Sequence, residues 1–108
     1  MTKKFAVISY GVSNGYVTKD VEIVGKSYVF NDVAFDCLKI AVHGEIEKLL
    51  GKNEDFRVIH TSSERYTDAW GYGNNGVLII NDVEQLQYEV IEENDLQAIK
   101  NNLYKLYK

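Results

Sequence analysis

The chain has 108 residues, 45% hydrophobic and 26% charged, with a formal net charge of −4. That length holds one ordinary core, and that composition excludes a disordered polymer. A single cysteine excludes an internal disulfide framework and any cysteine-based zinc cluster, while 12 basic against 16 acidic residues, spread along the chain, give neither a nucleic-acid footprint nor a polyanionic DNA mimic.

Lys3-Lys4 followed by Phe5 to Ile8 imitates the start of a secretory leader, but the apolar stretch ends at Ser9 and no small-residue cleavage site follows. No window approaches the ~18 consecutive apolar residues that cross a bilayer. The expectation is a cytoplasmic protein with no membrane partner.

Phe5 to Val12 and Tyr16 to Val24 read as two strands of a hairpin, joined by Asn14-Gly15, a strong signal for a type I′ turn. A regular register from that turn sets Val12 against Val17, Ile8 against Val21 and Ala6 against Ile23. It sets Val7 against Glu22, Ser9 against Asp20 and Gly11 against Thr18 on the other side. One face is then apolar and the other mostly polar, which predicts a sheet covered on one side.

Tyr28 to Phe30 can extend the second strand. Asn31 or Asp32 is placed to cap a helix reaching about Leu50, with Gly51 as its stop. Ala34, Leu38, Ala41, Val42, Ile46 and Leu49 form its apolar stripe, and Asp32, Asp36, Lys39, His43 and Glu47 its solvated one. Cys37 lies among the apolar residues, as a small buried thiol does. Gly44 inside the helix costs about 1 kcal/mol against alanine, which suggests a close approach there.

Phe56 to Ser63 carries β-branched residues and reads as a strand, with His60 on the side of Val58 and Ser62 and away from Ile59. Gly71 to Gly76 is a loop signal. Val77 to Asn81 is a buried strand, Asp82 to Gln85 a turn, and Leu86 to Glu93 a further strand. A last helix begins near Asn94 or Asp95, with Leu96, Ile99, Leu103 and Leu106 at helical spacing and Lys105 at the favoured C-terminal end. The order β-β-α-β-β-β-α predicts a single α+β domain over residues 1–108, an antiparallel sheet with both helices packed on one face.

Motifs for chemistry are sparse. His60, with Glu64 nearby, is the one acid–base candidate, and a small hydrolase built on it is the weakest of three functional readings. No Gly-x-Ser-x-Gly elbow, phosphate-cradling glycine loop or calcium loop occurs. No catalytic residue is assigned, and neither a cofactor nor a metal is expected.

The segment from 57 to 76 is the candidate recognition surface. Arg57, His60, Arg65, Tyr66, Trp70, Tyr72, Asn74 and Asn75 supply flat aromatic area, charge and adaptable hydrogen bonds. The favoured reading is a non-catalytic binding protein that occupies a protein partner. Lack of proline, abundant asparagine and lysine over arginine suggest an AT-rich genome, so a small phage or mobile-element inhibitor of a host system fits. The alternative is a small-ligand protein taking a nucleotide or other anion, with Arg57, His60 and Arg65 for charge and Trp70 or Tyr72 for stacking. Tyr104 and Tyr107 widen the apolar seam from Leu96 to Leu106, and with Leu103 they form a surface that predicts a homodimer or higher homo-oligomer.

Overall fold

The computed structural model describes residues 3–63 and 74–106, with 61–63 and 74–75 described by their backbone. In chain order the elements are β1 (Phe5–Ser13), β2 (Tyr16–Tyr28), α1 (Asn31–Gly51), β3 (Phe56–Ser63), β4 (Asn74–Asn81), β5 (Gln85–Glu92), a short 3₁₀ turn (Glu93–Asp95) and α2 (Leu96–Leu106). The five strands form one antiparallel sheet in the order β2-β1-β5-β4-β3. The predicted order of elements and the α+β class are those observed.

Asn14 and Gly15 take φ of 52° and 83°, the left-handed pair that a type I′ turn requires. Next to the turn the predicted register holds, with Val12 opposite Val17. Farther out it does not. Eight residues of β1, from Val12 to Phe5, span twelve of β2, from Val17 to Tyr28, through four register shifts. Each shift is an extra residue in β2 of the kind that makes a β-bulge. Ile8 consequently faces Ile23, Ser9 faces Glu22, Gly11 faces Lys19 and Val7 faces Gly25.

The shifted hairpin is covered on both faces. Val7 and Ser9, on the face expected to be polar and open, are fully buried. Val7 packs with Ala34, Leu38 and Val42 of α1 and with Ile79, Leu86 and Val90 of the sheet. Its neighbour Ile8 points the other way, into a second cluster with Val12, Val21, Ile91 and, from α2, Ile99 and Leu103. The helices therefore lie on opposite faces of the sheet, not together on one. Strands alternate with period two, so a hairpin buried on both sides needs apolar residues in both sets; β1 has them.

Gly25 is what lets α1 sit close to β2. A Cβ there would fall 2.6 Å from Cys37 Sγ and 3.1 Å from Val7 Cβ. The expected close approach at Gly44 does not occur, because a Cβ at Gly44 would meet nothing within 4 Å. Cys37 is half-buried beneath the helix, and its hydrogen bond holds the Tyr28 hydroxyl above the ordinary phenol range, with burial adding to the effect.

The apolar stripe predicted for α1 is buried or half-buried, and its solvated stripe is exposed. Neither Asn31 nor Asp32 is the cap; Phe30 occupies that position without a side-chain cap bond, and the Val33 amide donates to Asp32 Oδ1 at 3.0 Å. Between β4 and β5, Asn81 Oδ1 accepts from the amides of Val83 at 2.7 Å and Glu84 at 2.8 Å, the Asx geometry that makes asparagine a turn residue. No helix among the described residues is long and apolar enough to cross a membrane.

Candidate functional site

The site follows from where α1 lies. The helix packs over β1, β2 and β5, on the half of the sheet that the bulged hairpin supplies. On the same face β3 and β4 extend beyond it. A groove of about 720 Å³ results, floored by Val58, His60, Gly76 and Val77 and walled by the Phe35, Leu38, Val42 and Ile46 flank of α1. Asp32, Asp36, Lys39 and His43 form its polar rim.

β3 and β4 pair in continuous register from Phe56 opposite Asn81 to Ser63 opposite Asn74, so His60 stands opposite Val77 and Val58 opposite Ile79. Val77 and Ile79 belong to the core beneath α1. Alternation then turns Val58 and His60 toward the groove and Arg57 and Ile59 toward the other face. The expected separation of His60 from Ile59 is present, and the His60 side is the one facing α1. His43 reaches the same groove from the helix, a pairing that the sequence reading did not make. Helical spacing placed it on the exposed stripe, and nothing local says which strand passes beside that stripe.

The candidate surface from 57 to 76 is therefore divided. Arg57 and His60 lie on opposite faces of β3, so they do not converge on one anion. Asn74, Asn75 and Gly76, read as loop, are the first three residues of β4, because their backbones pair with Ser63, Ser62 and Thr61. Glu64, Arg65, Tyr66, Trp70 and Tyr72 lie outside the described residues, as does Tyr107. Of the residues assigned to self-association, Leu103 is 5% exposed and spent on the core under α2, whereas Tyr104 is 52% exposed.

A second polar cluster lies under the C-terminal half of α1. Lys19 Nζ donates to Ser9 Oγ at 3.2 Å and pairs with Glu22 at 3.0 Å. Ser9 is also bonded to the Tyr88 hydroxyl, which bonds Glu45 in turn. Burial first, and then the nearby charge of Glu45, push Tyr88 up to about 12. Serine, lysine and tyrosine in contact are a nucleophilic set in principle, but Ser9 is fully buried and no substrate atom reaches its hydroxyl. The cluster satisfies polar groups between sheet and helix. Sequence reading missed it because the bulges, not the regular register, bring Glu22 opposite Ser9 and Lys19 within reach.

Chemically, the groove offers an apolar floor and flank with charged and imidazole groups at its edge. That composition suits binding with orientation from a few polar contacts. Among the described residues no three His, Cys, Asp or Glu side chains gather as a metal set. No family model, curated protein or solved structure matches the chain.

Proposed function

We propose that this is a non-catalytic binding protein that acts by occupying a partner, and that the groove between α1 and the β3–β4 half of the sheet is where the partner is held. The observation that carries the reading is the offset of α1, which leaves a groove lined by the exposed Val58, the half-buried Phe35 and Ile46 and the margin of the core at Val77. An apolar surface bounded by charged groups is the usual form of an interaction site. A protein partner fits an open groove. Within this reading, a small cytoplasmic inhibitor carried by a phage or mobile element suits a short chain without catalytic motifs.

The groove volume favours one second reading. About 720 Å³ lies inside the range of about 300–1,000 Å³ occupied by small-molecule sites. A small ligand would sit on Val58 and Val77 with its polar end at Lys39, His43 and His60. Asp32 and Asp36 oppose a multiply charged anion there, so a nucleotide suits the site less well than a mostly apolar ligand does. A hydrolase using His60 gains no support from the groove, since Glu64, its proposed acid, is not among the described residues.

One comparison tests the first reading. Val58→Lys places a charge on the groove floor at a position already 38% exposed. It is expected to abolish partner binding while the fold persists. Mass measured under native conditions, set beside the denatured mass, separates the second reading: excess mass lost on denaturation identifies a small ligand, and its disappearance in Val58→Lys places that ligand in the groove.

A further inference from the structure

We propose that β3 is a strand-pairing edge for a second copy of this chain, the two sheets joining through antiparallel contact between their β3 strands. The sheet has two edges, β2 and β3, and they are built differently. The β2 edge is broken by four register shifts and carries Lys19, Asp20, Glu22 and Lys26. Bulges and charges of that kind are how natural sheets protect an edge from pairing. The β3 edge has neither protection. All eight of its residues pair with β4 without a shift, which keeps the strand regular, and Arg57 is its one charged residue.

Among the described residues no element pairs with the outer edge of β3. Its outward amides and carbonyls can be matched in register only by another extended backbone. Val58 is 38% and Ile59 41% exposed, one on each face, so both sides of the edge present β-branched side chains to an added strand.

The strand itself suits that role. A two-fold axis through Ile59 sets Ile59 against its own copy, Val58 against His60 and Arg57 against Thr61. No like charges stand opposite each other, and the centre is apolar. In a chain of net charge −4, this nearly neutral edge is where two copies approach with least repulsion. The pairing does not depend on what the groove holds; it brings two groove floors side by side, each still open.

Sedimentation across a concentration series tests the proposal. The wild type is expected to dimerise. Ile59→Lys, which sets two ammonium groups against each other on the axis, is expected to raise the dimer dissociation constant at least about tenfold. Leu106→Lys, at the exposed end of α2, leaves that constant unchanged. Hydrogen exchange on the unmodified protein supplies a readout that needs no variant: β3 amides slow as concentration rises, and β2 amides do not. A wild type that stays monomeric, a dimer indifferent to Ile59→Lys, a dimer lost with Leu106→Lys, or β3 exchange independent of concentration each overturns it.

Discussion

His43 of α1 and His60 of β3 line one groove, the helix contributing its solvated stripe and the strand its α1-facing side. They share it because α1 packs over β1, β2 and β5, toward the hairpin, and Gly25 permits its close approach to β2. Cys37 Sγ lies 2.6 Å from where a Cβ at Gly25 would stand, so a side chain there would hold the helix farther off. Had α1 been centred on the sheet, Val58, now 38% exposed, would be core. Packing over the hairpin half of one face thus leaves a groove over the β3–β4 half of the same face.

The two glycines near α1 give opposite expectations. Gly25→Ala forces Cys37 Sγ and Val7 aside and is expected to destabilise by about 1–3 kcal/mol, as overpacking does. Gly44→Ala enters open space on an exposed helical turn and is expected to stabilise by about 0.5–1 kcal/mol. Urea unfolding of both variants checks the pair. Adding Cys37→Ala to Gly25→Ala restores part of the loss, since the nearer clash is with the thiol.

Leu103 and Tyr104 are adjacent on α2 and face different surroundings. Leu103→Ala opens a cavity against Ile8, Val21 and Ile91, with an expected cost of about 2–5 kcal/mol. Tyr104→Ala, at the surface, stays within about 0.5 kcal/mol of the wild type. Equal losses at the two sites would mean that α2 is not docked as described.

Alkaline pH tests the buried cluster. The Tyr88 hydroxyl is held up to about 12 from an ordinary value of 10.0, so folding favours its protonated form. That contribution is whole below the unfolded value and is lost as pH rises through the folded one. Stability of the wild type should fall between about pH 10 and 12, by up to about 2–3 kcal/mol from this residue alone. Tyr88→Phe removes that share of the fall, and melting temperatures of the two proteins between pH 9 and 12, measured in parallel, show whether it does.

What could be read from the sequence was what neighbours along the chain determine. Asn14-Gly15 specified its turn by backbone conformation, Ala34 to Leu49 specified a helix by spacing, and Phe56 to Ser63 a strand by residue type. The bulges of β2 were not legible. Val21, Glu22, Ile23 and Val24 fit a regular register nearly as well as a shifted one, and the shifted one sets Gly25 against Val7 beneath Cys37. The single-face expectation failed for the same reason, because it took Val7 and Ser9 as solvated partners of acids. Within the site, alternation separated His60 from Ile59. Placing His43 and His60 on one groove required the sheet order and the position of α1, which no local pattern carries.

The most direct test of the groove compares what the tagged wild type and tagged Val58→Lys retain from an extract of the cells in which the protein acts, after their melting temperatures are shown to match. The account predicts a component, macromolecule or small ligand, that the wild type holds and Val58→Lys releases. The same component on both proteins would contradict it, and binding would then have to be sought away from the α1–β3–β4 groove.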